Sequence, residues 1–181
     1  VDRLKAGQAR QPILLTVPPT FADRRLLPRV ERFQASHPRV DAGARRADFN
    51  ADRIDLGILY GRGCRPSLVT TRLFSDTFFP VCARMLASGH APPRTSADLD
   101  EHALIHDVSV RTEPALPTWR AWLAHAKSPA LDADRGLQIN DSAAVIQASI
   151  TGSGSALGRS HLVQTDQAAR RLVRPLGDAI S

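Results

Sequence analysis

PILLTVPPTFADRRLLPRVERFQASHP, residues 12–38, is the stretch whose reading decides the fold. Ile13, Leu14, Leu15 and Val17 form an apolar run of strand length. Pro18 and Pro19 stop it, because each lacks an N–H and biases the residue before it toward extended geometry. Thr20 stands where an N-cap belongs, with Asp23 three residues on, close to a capping box. Beyond it Leu26, Leu27, Val30 and Phe33 fall on one helical face, and Arg24, Arg25, Glu31 and Arg32 on the other. Pro28 lies inside the pattern, which predicts a kink rather than a break. A strand that delivers the chain to a helix N-terminus suits an anion, since free amide N–H groups and the helix dipole point at one place. Thr20 therefore reads either as a cap alone or as a cap that also touches a ligand.

Downstream, Val40, Ala42 and Ala44 alternate with polar residues and predict a strand at 39–45; Ile54–Tyr60 predicts a third, ending at Gly61-Arg62-Gly63. Strand, helix, strand, loop, strand is the order of a parallel α/β sheet. Leu68–Phe74 and Thr77–Cys82 read as extended, and Thr95-Ser96 as a helix start. Ala103–His106 reads as a strand, and Pro117 opens a helix carrying Trp119, Trp122, Leu123 and Ala126 on one side. Leu137–Asn140 is a strand, after which Asp141-Ser142 cap a helix through Val145, Ile146 and Ile150 that Gly152 ends. Ala156 and Leu157 are extended, Ser160 caps a helix through Ala169, and Arg171–Leu176 is the last expected strand. Twice, at Thr20 and at Asp141-Ser142, a short strand leads into a capped helix. In open α/β sheets ligands bind outside the carboxyl ends of the strands, where such helix starts gather.

With 181 residues, 43% hydrophobic and 23% charged, the chain is of ordinary globular composition and long enough for one domain or two small lobes. No apolar run approaches the roughly 20 residues of a membrane span. The opening VDRLKAGQARQ has no apolar core of a signal peptide, so neither export nor a membrane partner is expected. The formal net charge of +6 is carried almost wholly by arginine, Lys5 and Lys127 being the two lysines. These arginines are scattered rather than interleaved with aromatics, which argues against direct nucleic-acid contact by this segment. Cys64 and Cys82 make neither a disulfide framework nor a zinc site. Cys82, after Phe78, Phe79 and Val81, reads as a small buried hydrophobe.

Several chemical motifs fail on inspection. Thr151-Gly152-Ser153-Gly154-Ser155-Ala156-Leu157-Gly158 has a leucine in place of a dinucleotide fingerprint's third glycine and follows a helix, so it is a helix stop and turn. His102 and His106 are four apart but pass into a strand with no third ligand placed, so no metal is expected. Asp141, Ser142 and a remote histidine lack the G-x-S-x-G elbow of a hydrolase, and no enzyme is expected. Trp119 and Trp122 read as a core anchor.

The ordered set of motifs resembles the effector-binding domain of LysR-type transcriptional regulators, within them the subgroup of the glycine-cleavage activator and the β-lactamase regulator. The residues that carry it are Val17-Pro18-Pro19-Thr20-Phe21-Ala22, Leu26-Leu27-Pro28-Arg29-Val30, Phe33, His37-Pro38, Asp48-Phe49, Ile54-Asp55-Leu56-Gly57-Ile58 and Tyr60-Gly61-Arg62-Gly63. Further on come Leu73-Phe74, Phe79-Pro80-Val81-Cys82, Leu104-Ile105-His106, Trp119, Trp122-Leu123, Asn140-Asp141-Ser142 and Gly152–Leu157. The resemblance implies an α/β, two-lobed, periplasmic-binding-protein-like (type 2) fold with two interlobe crossovers. Residues 1–10 would end a linker, 11–80 plus 162–181 would form lobe I, and 81–161 lobe II. It implies a cytoplasmic sensor without a cofactor, binding a small, carboxylate-bearing effector between the lobes. Thr20 and Ser142 match the effector-contacting hydroxyls, with Pro19, Phe21, Tyr60, Gly61, Asn140 and Asp141 as their neighbours. It also implies homodimerisation through this domain, tetramers of the full-length protein, and promoter DNA bound by an N-terminal winged helix-turn-helix that this chain does not include. A transport-type solute-binding protein and a two-lobed enzyme share the same plan and are the alternatives.

Overall fold

In the computed structural model the opening strand is β1 (Ile13–Thr16), flanked by β2 (Ala42–Ala44) and β3 (Leu56–Gly57). The structure describes residues 13–37, 42–44, 54–61, 68–86, 89–111, 116–128, 131–177 and 179–180. The expectations at residues 1–10, Val40, Asp48-Phe49, Arg62-Gly63 and Cys64 lie outside them. The chain divides into two units between Tyr60 and Gly61.

In the first unit all strand pairs are parallel, in the order β2-β1-β3, with Leu14 opposite Gly43 and Thr16 opposite Gly57. The third strand is shorter than Ile54–Tyr60, although the Ile58 N–H still donates to the Thr16 carbonyl at 2.9 Å. After β1 the chain turns into α1 (Pro19–Phe21), a π-helical turn at Ala22–Leu26, and α2 (Leu27–Ser36). The π turn explains itself through Pro28. Proline has no N–H to return to the carbonyl four residues back, so the ladder widens and the Leu27 N–H reaches Ala22 instead. The kink expected at Pro28 thus takes the form of a π turn just before it. The apolar face read for this helix is not buried among the described residues: Leu27 is 55% and Phe33 44% exposed.

The second unit holds β4 (Phe78–Val81), β5 (Leu104–Asp107), β6 (Leu137–Ile139) and β7 (Ser155–Arg159), in the order β4-β7-β5-β6. β5 runs parallel to both neighbours and β4 antiparallel to β7. Its helices are α3 (Trp119–His125), α4 (Ser142–Ile150) and α5 (Ser160–Ala168), with a 3-10 turn at Ala97–Glu101. At that turn Thr95 and Asp98 bond reciprocally: the Asp98 carboxylate takes the Arg94 and Thr95 N–H groups, and the Asp98 N–H donates to Thr95 Oγ1. Those backbone donors hold the Asp98 carboxyl below its usual range. Leu99, Leu104, Trp119, Trp122, Leu123, Ala133 and Leu176 make one buried cluster. Trp119 and Trp122 meet edge to face with ring centres 5.7 Å apart, and the Trp119 indole N–H donates to the Ile105 carbonyl at 3.0 Å. They are core anchors, as read.

Three expectations are corrected here. Residues 68–74 join no strand among the described residues. Val173 makes only an isolated bridge to Cys82 rather than a strand over 171–176. Ser160 is not the cap of α5: Arg159 holds that position, while the Ser160 hydroxyl donates to the Asp76 carboxylate at 2.7 Å. A carboxylate brought from β4's approach out-competes the local backbone, because a charged acceptor makes the stronger bond. Cys82 is fully buried, and burial pushes its thiol up to about 11 despite a bond with Ser155, so it stays a protonated core residue.

Trp122→Ala removes a fully buried indole. It should cost about 3–5 kcal/mol, read as a lowered denaturation midpoint in urea with the slope unchanged.

Candidate functional site

Both strand-to-helix joints singled out in the sequence exist, one in each unit. In the first, Thr20 is not the N-cap. Pro18 is, with Pro19 at the first helical position and no side-chain cap bond. Proline at that position loses nothing, since its missing N–H belongs to the group left unpaired at any helix start. The Ala22 N–H closes the turn on the Pro18 carbonyl at 2.9 Å. Asp23 caps nothing either. Thr20 is half-buried, Phe21 is buried and Pro19 exposed. Among the described residues the Thr20 hydroxyl has no intramolecular partner, which leaves its donor and acceptors for a ligand. Tyr60 and Gly61 follow β3 by a few residues; Gly61 has φ +123°, a backbone conformation that favours glycine.

The joint in the second unit is richer. Asp141 is the N-cap of α4, and its carboxylate accepts the Ala144 N–H at 2.7 Å. That part of the sequence reading holds, and such a cap contributes about 1 kcal/mol. Asn140 and Asp141 are exposed, and Ser142 is half-buried at the first helical position. The Ser142 hydroxyl donates to Asp107, the last residue of the parallel strand β5. The same carboxylate takes the Ser109 hydroxyl at 2.5 Å and the Ser109 N–H at 3.0 Å. Ser109 and Ser142 oxygens stand 3.3 Å apart. Arg111 donates to the Gln138 side chain at 3.1 Å nearby in the sheet. Asp107 and Ser109 were missed by the sequence reading, which stopped the strand at His106. The available signal was a carboxylate and a hydroxyl two residues apart at the carboxyl end of an apolar strand.

The histidines resolve as structural. His106 Nε2 bonds the Arg135 carbonyl at 2.7 Å. His102 is buried and lines a hollow of about 260 Å³ with Leu86, His90, Glu101, Ala103 and the Gly152–Gly154 turn. Among the described residues no three His, Cys, Asp or Glu side chains come together as metal ligands. The Gly152–Leu157 segment is a helix stop and turn, as read: Gly152 has φ +84°, and a Cβ on Gly154 would lie 2.3 Å from the Ala103 carbonyl oxygen.

A family model described as the LysR substrate binding domain matches residues 6–181. The chain belongs to this family. It is 33% identical over 182 residues to the glycine cleavage system transcriptional activator of Escherichia coli (strain K12), covering 98% of this chain and 58% of that protein. It is 28% identical over 187 residues to the HTH-type transcriptional activator AmpR of Pseudomonas aeruginosa, covering 100% of this chain and 60% of that one. The chain thus spans about three-fifths of the length of these curated relatives. Among solved structures it resembles the effector domain of P. aeruginosa AmpR, with TM-score 0.74, 26% identity, and coverage of 94% of this chain and 81% of that one. The AmpR effector binding domain from Citrobacter freundii shares the fold at TM-score 0.77 and 23% identity, covering 94% and 83%. This LysR-type effector domain has the type 2 periplasmic-binding-protein-like α/β fold. The relatives are transcriptional regulators, which decides against the enzyme and transport readings. No described helix is long and apolar enough to cross a membrane.

Burial, with help from His90 and Arg135, holds the His102 imidazole below its ordinary 6.5, against the pull of Glu101 and Asp98. The unfolded chain therefore takes up this proton first as pH falls. Stability should be unaffected by His102 well above pH 6.5 and should decline below it. His102→Gln should flatten that decline in urea titrations compared at pH 7.5 and pH 5.5.

Proposed function

We propose that this domain is the sensor of a cytoplasmic LysR-type regulator. It binds a small metabolite between two lobes and changes how the full-length protein occupies promoter DNA. The observation that carries this reading is the family match across residues 6–181, joined to a hydroxyl at each of two helix starts beyond parallel strands. Thr20 and Ser142 are the central contacts, with Pro19, Phe21, Tyr60, Gly61, Asn140 and Asp141 around them. A carboxylate on the effector would sit best at the Thr20 helix start, where the hydroxyl is unpaired among the described residues.

The lobes of this reading are residues 11–80 with 162–181, and 81–161. The bridges Phe78–Ile180 and Cys82–Val173 lay the returning chain beside the outgoing one near residue 80, where this reading puts a crossover, although both lie within the unit that begins at Gly61. The signal requires different affinities of the effector for two arrangements of the protein. DNA contact belongs to a separate N-terminal domain of the full-length protein, as in relatives named for a helix-turn-helix. Two copies of this domain pair, and four chains assemble in the full-length regulator. The exposed Leu27 and Phe33 on α2 favour a partner there.

A thermal-shift screen of metabolites should find a stabilising compound. Thr20→Val and Ser142→Ala should each weaken it about tenfold, roughly 1.4 kcal/mol, and the unliganded Thr20→Val variant should keep the parent's melting temperature. Unaltered calorimetric titrations for both variants would defeat the assignment. In light scattering the domain should weigh twice the chain mass, and Phe33→Arg should return it to a monomer.

A further inference from the structure

His102 carries a cost that the fold leaves unsettled. The residue is 5% exposed, and its Nδ1 is enclosed without a hydrogen-bond partner among the described residues. The hydrogen bonds it does make there are those of its backbone: its N–H donates to the Leu99 carbonyl and its own carbonyl accepts from Arg135. Both ring nitrogens are thus unused, whereas His106 spends its Nε2 on the Arg135 carbonyl. Buried polar groups are nearly always paired, and one left alone costs about 1–3 kcal/mol. With Nδ1 enclosed, Nε2 is the ring atom left to meet something from outside.

The ring forms one wall of a hollow of about 260 Å³, and a cavity of only ~150 Å³ lodges benzene. Leu86 and Ala103 line it with apolar surface, and the Gly152–Gly154 turn adds only the Ser153 side chain, which leaves the space open. The His90 ring stands perpendicular to His102 with centres 6.0 Å apart, and Glu101 also lines the hollow. His102 and Ala103 precede β5, and Gly154 precedes β7, which runs parallel to it. The hollow therefore opens at the amino ends of these strands. Asp107, which holds Ser142, ends β5 on the other side of the sheet's length.

We propose that this hollow is a second binding site, for a small uncharged ring compound that gives an O–H or N–H donor to His102 Nε2. A neutral imidazole can accept one such bond, and burial keeps this one neutral at pH 7 against the pull of Glu101 and Asp98. Glu101 accepts only, so it too favours a donor and repels an anion. The apolar walls favour a guest without a charge, since a charged one would lose its hydration there. The site is independent of the effector contacts proposed at Thr20 and Ser142.

The test titrates three matched compounds, phenol, anisole and benzoate, into the unmutated domain and follows the histidine ring signals by NMR, the His102 signal being assigned by its loss in His102→Gln. Phenol should move the His102 signal, with anisole and benzoate about tenfold weaker, the worth of one such hydrogen bond. His102→Leu should bring phenol and anisole to equal affinity. Ser153→Trp, which fills the hollow from an exposed position, should abolish phenol binding. Thr20→Val and Ser142→Ala should leave it unchanged. Phenol that leaves His102 unmoved, anisole or benzoate that binds as tightly, or a preference for phenol that survives His102→Leu would overturn the inference. The matched compounds on the unmutated domain decide even if a variant fails to fold. Phenol lost in Thr20→Val or Ser142→Ala but kept in Ser153→Trp sits at the proposed effector contacts, which sinks this inference alone.

Discussion

The structure of the second unit depends on how β5 is held. Its Leu104 and Ile105 side chains are almost completely buried, it has a parallel neighbour on each side, and the indole N–H of Trp119 bonds the Ile105 carbonyl. A buried carbonyl left unpaired is costly, so this bond ties α3 to the strand at a defined height. Two residues further on is Asp107. The placement of a carboxylate in front of α4 is therefore a consequence of core packing, not of loop conformation, and packed elements hold functional groups more tightly than loops do.

Close backbone approaches serve the same end. A Cβ on Gly136 would stand 2.0 Å from the Leu104 carbonyl oxygen, and one on Gly158 would meet both methyls of Val81. These glycines let β6's approach and β7 crowd against β5 and β4. The two helix starts built from this packing share one device, a carboxylate from elsewhere in the sequence bonded to the first serine of the helix. Their electrostatics diverge. At α5 an arginine completes a buried pair, which fixes geometry more than it adds stability. At α4 the Asp107 carboxylate makes no ion pair among the described residues and is held by the Ser109 and Ser142 hydroxyls instead.

Much of this was legible in the chain. The strand-to-helix joints at Pro18–Thr20 and Asn140–Ser142, the cap at Asp141, the stop at Gly152 and the tryptophan pair all follow from local rules of propensity, capping and periodicity. Where those rules faltered, the cause was a competing interaction. Proline took the helix-start position that suited it and moved the cap ahead of Thr20. Pro28 widened the ladder into a π turn. Asp76, 84 residues away, drew the Ser160 hydroxyl from its capping role. The apolar stripe on α2 was visible in the sequence, but periodicity states that a face is apolar and not what covers it.

By itself the sequence determined the α/β class, the order of most elements, the family and the residues at the two helix starts, because these depend on neighbours within a few positions or on an ordered series of short motifs. Only the tertiary structure decided what Ser142 can donate. Its proton is committed to Asp107 across 35 residues of sequence, a pairing made by strands lying side by side. A hydroxyl's hydrogen-bonding role is set by whichever acceptor the fold brings within reach, and sequence spacing carries no record of that distance.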